Sequence, residues 1–361
     1  MPKKVLVAMS GGVDSSVAAL LLKEQGYDVV GAHMKMWDYV DVGGDIYKDG
    51  RCCTIDSITD CRMICDKINA PFYVLNMSEK FRGTVIENFV SEYKKGRTPN
   101  PCVLCNTDIK WAAFLDKARE VGCDYIATGH YAFVEKNDQS RFQIRKGVDE
   151  TRDQSYFLWG ITQEALSMTL MPLGGLLKTE VRKIASEHEL RTADKKESRE
   201  ICFVADDNYR RFLKEWDEKR EIKQEKGEIV HSNGLVLGQH EGTAFYTIGQ
   251  RKGLGIAYPK PLYVQKIDPV SNRVIVGDDE DIFTTELEAI NVNWVAIEPP
   301  KKPVEAMIKI RYRHQPALAE LNLLTDGHIH IRFMEKQRAI TPGQSVVFYN
   351  DDVLLGGGII N

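Results

Sequence analysis

The sequence predicts an α/β fold, with a doubly wound parallel sheet followed by a small β-rich central domain and a C-terminal β-barrel. Three observations predict it. Apolar strand-like runs alternate with helical patterns through the first third of the chain. A densely charged stretch of mixed sign, residues 206–228, interrupts that alternation. Beyond it Gly, Thr, Val and Tyr rise, and turn signals such as Ser232-Asn233-Gly234 and Asp268-Pro269 recur, as short strands require. The expected divisions are residues 1–205, 206–282 and 283–361.

The first strand, within residues 4–9, is the apolar run Val5-Leu6-Val7-Ala8-Met9, too short to be a helix on its own. Further strands are expected at residues 28–34, 72–77 and 125–128. Between them, residues 16–25, 55–68, 79–95 and 109–121 carry apolar residues at helical spacing; Val17, Leu20, Leu21 and Leu22 mark the first such helix. A second helical block is expected over residues 154–191, broken at Pro172-Leu173-Gly174-Gly175. Residues 206–228 read as a helix running into a connector, and the remainder as short strands. Parallel sheets bind ligands at the carboxyl ends of their strands. The loop from Ser10, Met34 and Thr128-Gly129-His130 all fall at such ends.

The loop itself, Ser10-Gly11-Gly12-Val13-Asp14-Ser15, is a strand-to-helix turn. There the backbone N–H groups at a helix start point outward at the positive end of the helix dipole. Gly11 and Gly12 let the backbone approach an anion without a Cβ in the way. Ser10 and Ser15 add hydroxyls. The chemistry fits a pyrophosphate cradle. The pattern is neither a Walker A loop, lacking Gly-Lys-Ser/Thr, nor the dinucleotide G-x-G-x-x-G. Its plain alternative is a tight turn without a ligand.

The 361 residues suggest two or three domains, and 43% hydrophobic with 28% charged residues describes an ordinary globular protein. No apolar stretch approaches the ~20 residues needed to span a bilayer. Pro2-Lys3-Lys4 leads into a strand and not into a signal peptide, so a cytoplasmic protein without membrane contact is expected. A net charge of −4 argues against indiscriminate coating of nucleic acid, though it leaves room for a local basic face.

All eight cysteines lie in the first 202 residues: Cys52, Cys53, Cys61, Cys65, Cys102, Cys105, Cys123 and Cys202. That asymmetry favours redox, metal or catalytic chemistry over a disulfide scaffold. Cys52, Cys53, Cys61 and Cys65 read as structural. The stretch Thr98-Pro99-Asn100-Pro101-Cys102-Val103-Leu104-Cys105-Asn106 stiffens a loop with two prolines and opens onto the helix expected at residues 109–121. A cysteine just before a helix start is expected to have a lowered pKa and to be largely thiolate. Taken alone, Cys-x-x-Cys is compatible with half a zinc site, a redox pair or two buried structural residues.

Together, residues 10–15, 96–106, 128–131, 152–158, 200–204, 246–255, 311–313 and 342–345 resemble the tRNA-specific 2-thiouridylases, members of the PP-loop ATP pyrophosphatase superfamily. The resemblance spans nearly the whole chain. It implies an N-terminal PP-loop catalytic domain, a small central domain and a C-terminal barrel. It implies ATP-dependent 2-thiolation of the wobble uridine of tRNA, by adenylation of uracil O2 and sulfur transfer from a cysteine persulfide. Cys105 would be the nucleophile, Cys202 would carry the persulfide, and the two would pair in a transient disulfide. Ala8, Met9, Ser10, Gly11, Gly12, Val13, Asp14, Ser15, Met34 and Gly129 would bind ATP, with Asp14 beside Mg²⁺. Asn100, Pro101 and Cys102 would face the target base. His130, Arg152, Asp153, Gln154, Arg311, Tyr312 and Gln344 would contact tRNA. The implied partners are a tRNA with a wobble uridine and a persulfide donor, either a cysteine desulfurase or a sulfur carrier; a monomer is expected.

Two positions depart from the family pattern. Many members carry Asp-x-x-Cys where this chain has Cys102-x-x-Cys105, which replaces a carboxylate suited to acid–base work by a thiol. With Cys102, Cys105 and Cys202 at one site, a 4Fe-4S cluster carrying sulfide becomes an alternative to the persulfide. Arg152 stands where Lys is frequent; the charge is kept and the geometry changed. A further alternative is another PP-loop ATPase adenylating a different acceptor.

Overall fold

The computed structural model describes residues 1–38, 42, 55–195, 201–204, 206–222 and 225–361. Cys52 and Cys53 lie outside the described residues, as does Glu200. In the first strand, β1 (Lys4–Ala8), alternate side chains serve two cores. Val5 and Val7 pack with helices Val13–Glu24, Ile55–Lys67 and Lys178–Glu187, whereas Leu6 joins the core of the helical runs at residues 78–94 and 101–120. Helices therefore cover both faces, and the sheet is doubly wound as expected.

Its strands run in the order β3 (Phe72–Asn76), β2 (Asp28–Lys35), β1, β4 (Tyr125–Ala127) and β7 (Thr169–Leu170), all parallel. The chain leaves β1 toward β2 on one side and returns to β4 on the other. The carboxyl ends of β1 and β4 thus flank the crevice where such sheets bind ligands. Strand β7 corrects the helical block expected over residues 154–191. Only Gln163–Ser167 and Lys178–Glu187 are α-helical there, and the β-branched Thr169 pairs with Ile126 between them.

The helix expected at residues 109–121 begins eight residues earlier. Pro101 occupies its first turn, where a missing N–H costs nothing and φ is already set. The run is α-helical over Pro101–Leu104, π-wound over Cys105–Ala113 and α-helical again over Phe114–Glu120.

A hairpin of β5 (Ala132–Lys136) and β6 (Phe142–Lys146) leaves the parallel sheet altogether. It pairs with the last strand, β17 (Val353–Ile360), through Arg145–Val353 and Ile144–Leu354. Six strands close the C-terminal barrel: β12 (Phe283–Trp294), β15 (Ile329–Arg338), β14 (Ala317–Leu323), β13 (Val304–Lys309), β16 (Ser345–Asn350) and β17, which pairs back to β12. Trp159 seals the junction, since a Cβ on Gly357 of β17 would lie 2.6 Å from its ring.

Between the two lies a four-stranded sheet of β10 (Tyr263–Asp268), β11 (Arg273–Gly277), β8 (Gly227–His231) and β9 (Val236–His240). Helix Tyr209–Glu218 leads into it, as expected for a connector. Among the described residues no helix is long and apolar enough to cross a membrane.

Candidate functional site: a nucleotide loop and three thiols around one cavity

The carboxyl ends of β1 and β4 open into a cavity of about 1190 Å³. Ala8, Met9, Ser10, Gly11, Gly12, Val13, Asp14, Ser15, Met34 and Gly129 all line it. Gly12 caps the 12-residue helix Val13–Glu24 without a side-chain hydrogen bond, so the start of that helix faces the cavity with its backbone donors. Two glycines are required by close approach. Gly11 sits at φ +73°, and a Cβ there would lie 2.5 Å from the Ser57 carbonyl oxygen. A Cβ on Gly129 would lie 2.8 Å from the Asp14 carbonyl carbon.

The serines brace the loop from within. Ser15 Oγ accepts from Ser10 N at 3.1 Å and donates to the Gly12 carbonyl at 3.1 Å; Ser16 Oγ donates to the same carbonyl at 2.9 Å. The loop's shape is thus set by its own hydroxyls, and the groups it offers an anion are chiefly backbone N–H.

Two lysines flank this loop. Lys178, the first residue of its helix and nearly buried, donates to Asp14 Oδ1 at 2.6 Å, an oxygen that also accepts from the Tyr131 hydroxyl at 2.7 Å. Lys195 donates to the Gly11 carbonyl at 2.9 Å and to Asp60 Oδ2 at 2.8 Å. Both lysines line the cavity. Neither stood out in the sequence, because each is one lysine among many with no motif around it. Both bonds to Asp14 end on Oδ1, so Lys178 and Tyr131 fix the carboxylate that the sequence placed beside Mg²⁺.

The opposite wall carries sulfur. Pro101, Cys102 and Cys105 line the cavity from the start of the 101–120 helical run, and Cys202 from a turn closed by Val204 N to the Ile201 carbonyl at 2.9 Å. That turn is anchored by Phe203, which is 1% exposed and packs edge-on against Phe81 and Phe89 with ring centroids 5.7 and 5.2 Å apart. Cys61, Cys65, Cys102, Cys105, Cys123 and Cys202 are all thiols. Burial pushes the Cys61 thiol up to about 12 and Cys65 up to about 11, which suits inert core residues.

Cys102 overturns the expectation of a lowered pKa. It is an exposed residue inside the first turn of its helix and lines the cavity. Protein crowded about its sulfur pushes the pKa up, with the Lys110 ammonium partly opposing. The three thiols share one cavity. Even so, among the described residues no three His, Cys, Asp or Glu side chains converge closely enough to hold a metal ion.

The remaining candidates divide. His130, Arg152, Asp153, Gln154 and Tyr312 line the cavity. His130 bonds Thr128 Oγ1 at 2.8 Å, and burial drives its pKa well down, which keeps it neutral at ordinary pH. Asp153 is pushed up by burial, although Ser155 donates to both its oxygens at 3.0 Å. Tyr312 packs its ring 4.6 Å from Phe157 beneath the Lys309 ammonium. Asn100, Arg311 and Gln344 stand outside the cavity lining. Asn100 hydrogen-bonds Tyr156, Arg311 donates to the Arg338 carbonyl at 2.9 Å, and Gln344 donates to the Thr98 and Pro99 carbonyls. Arg313, next to Tyr312, lines the cavity.

Three family models cover this architecture in series: a "tRNA methyl transferase HUP domain" over residues 3–206, a "tRNA methyl transferase PRC-barrel domain" over 217–278 and an "aminomethyltransferase beta-barrel domain" over 284–360. The chain is 51% identical over 360 residues to tRNA-specific 2-thiouridylase MnmA 1 of Clostridium botulinum, covering 100% of this chain and 99% of that protein. It belongs to the tRNA-specific 2-thiouridylase family. A family member from Geotalea uraniireducens is 50% identical, covering 99% of this chain and 95% of its own. Another, from Clostridioides difficile, is 48% identical, covering 100% and 98%. These 2-thiouridylase relatives match the chain from end to end, so the likeness takes in the loop, the thiols and the barrel together.

Proposed function

We propose that this protein thiolates C2 of the wobble uridine of tRNA at the expense of ATP. The observation that carries the proposal is the single cavity onto which the Ser10–Ser15 loop, Cys105 and Cys202 all open. The full-length likeness to 2-thiouridylases supports it. The domain descriptions mention methyl transfer, but paired thiols opposite a phosphate loop suit sulfur chemistry.

Uracil O2 attacks the α-phosphorus of ATP. The bond to the β-phosphate bridging oxygen breaks, and its electron pair leaves with pyrophosphate. Backbone donors at the start of helix Val13–Glu24, with Lys178 and Lys195 at either side, oppose the charge that builds on the leaving phosphates. A persulfide donor loads sulfur onto Cys202. The Cys105 thiolate then attacks the Cys202 sulfur, a disulfide forms, and hydrosulfide departs. Hydrosulfide adds to C2, the C2–O bond breaks, and AMP leaves with the former O2. An external thiol reduces the disulfide. Mg²⁺, where it accompanies ATP, would supply charge neutralisation near Asp14; no step here depends on it. In the alternative reading Cys102, Cys105 and Cys202 would hold a 4Fe-4S cluster that carries sulfide; no step here runs through one.

Incubation with ATP, a persulfide donor and tRNA lacking the modification should release AMP and pyrophosphate in step with 2-thiouridine, read by mass spectrometry of the nucleosides. AMP without thiolated nucleoside would point to another acceptor, and no ATP cleavage with any tRNA would point to a binding protein. Lys178→Met should lower pyrophosphate release about 100-fold, the effect typical of removing one preorganised charge-stabilising donor. Lys178→Arg should keep more of the rate; equal losses would assign Lys178 to folding alone.

A further inference from the structure

The helix that carries two of the thiols changes its winding where it passes the cavity. Over Cys105–Ala113 each turn closes on the carbonyl five residues back, so side chains five apart come nearly into line. Cys105 and Lys110 are such a pair, and both line the cavity. On a regular α-helix the same spacing would set them about 140° apart. Neighbours fix the winding. Asn106 Nδ2 donates to the Phe157 carbonyl at 3.0 Å, and the buried Trp111 Nε1 donates to Thr169 Oγ1 at 2.9 Å. Gly160 makes room for Thr107, whose hydroxyl would collide with a Cβ there.

Lys110 thereby brings a charge with spare hydrogens to the thiol wall. Of the three hydrogens on its ammonium, one goes to Asn106 Oδ1 at 2.9 Å, and among the described residues no carboxylate pairs with it. The bond from Asn106 to Phe157 orients the amide, so its oxygen is the atom that meets the ammonium. The charge of Lys110 acts on Cys102 and on the buried, neutral His130. A cation placed this way suits a small anion formed at the sulfurs.

We propose that Lys110 is a catalytic residue that holds the hydrosulfide leaving Cys202 until it adds to C2 of the activated uracil. The proposal rests on the function proposed above and deepens it. When the Cys105 thiolate attacks the Cys202 sulfur, the bond to the outer sulfur breaks and its electron pair leaves on hydrosulfide. The Lys110 ammonium opposes that charge as it forms and keeps the anion from escaping into solvent.

The test uses the full chain with Lys110→Gln, which keeps a donor for Asn106 without the charge, and Lys110→Arg, which keeps the charge. The first readout is a single turnover of protein preloaded with persulfide, given ATP and unmodified tRNA. Sulfide lost to the medium is measured as methylene blue, and 2-thiouridine by mass spectrometry. Lys110→Gln should raise the ratio of lost sulfide to 2-thiouridine about tenfold or more. Lys110→Arg should stay within about threefold of the parent. The second readout needs neither tRNA nor persulfide: alkylation of Cys102 and Cys105 by anionic iodoacetate and by neutral iodoacetamide. The quotient of the two rates should fall about fivefold in Lys110→Gln, the effect of one unit charge at close range in water. A role in folding alone would move both rates together and leave the quotient as it was. Lys110→Met removes the same charge and carries the test if the glutamine variant fails to fold. A parent-like quotient, or a parent-like sulfide ratio, in the uncharged variant would overturn the proposal. If the unaltered protein forms no 2-thiouridine while the quotient still falls, the functional reading fails and a cation that draws anions to these thiols stands.

Discussion

Cys202→Ser and Cys105→Ser should each lower 2-thiouridine formation by at least roughly 10³-fold, and they should stop the reaction at different points. Serine cannot bear a persulfide, so Cys202→Ser blocks loading of sulfur. In Cys105→Ser, loading proceeds but the thiolate that expels hydrosulfide is gone. Persulfide should then accumulate on Cys202 and be visible by mass spectrometry of the intact chain. Neither change touches the loop at Ser10–Ser15, so pyrophosphate release from ATP in the presence of tRNA should continue in both. A Cys105→Ser variant that thiolates at the parent rate would remove the disulfide-forming step. A Cys202→Ser variant that does so would remove the persulfide.

Gly129→Ala should be as damaging from the nucleotide side. A methyl at this position meets three backbone atoms of the first helical turn, at 2.8, 2.9 and 3.0 Å from Asp14 C, Ser15 N and Asp14 O. Backbone cannot swing aside as a long side chain does, so helix Val13–Glu24 must retreat from β4. Overpacking of this kind costs about 2 kcal/mol of stability. A shift near 1 Å in the groups facing the phosphates lowers the rate by on the order of 100-fold. Pyrophosphate release measured at saturating tRNA, beside thermal unfolding, checks both. Unchanged release with lowered stability would confine Gly129 to packing.

What the sequence reveals most clearly is what is local. Five apolar residues, two glycines and a helical face lie within about two dozen positions, so β1, the loop and helix Val13–Glu24 could be read in order. The β character of the chain beyond residue 226 was legible from composition and turn residues, without its single strands. Strand β7 was not, because two residues carry no period, and Thr169 becomes strand only by pairing with Ile126. That hairpin β5–β6 joins the barrel could not be read, because the strand it pairs with, β17, lies about 210 residues further along the chain. In the site, residue types were easier to recognise than their employment. Ser15 was recognisable as a loop hydroxyl, but its use inside the loop depends on the distance to Gly12 and Ser10. Lys178 and Lys195 reach the loop from 164 and 184 residues away, a relation no spacing rule records. The raised pKa of Cys102 follows from the protein atoms that tertiary folding brings about its sulfur, which no local spacing records.

The pairing of β6 with β17 has a consequence for how this protein is made. Arg145 and its partner Asp352 are 207 residues apart, so during synthesis the hairpin emerges long before β17 exists. Until β17 leaves the ribosome, the nascent chain carries an open strand edge, the kind of surface that invites pairing with other chains. Folding therefore cannot finish one domain at a time from the N-terminus. Strand β17 closes the barrel and covers the hairpin in the same event, so a chain cut before Val353 loses the protection of a segment made far earlier.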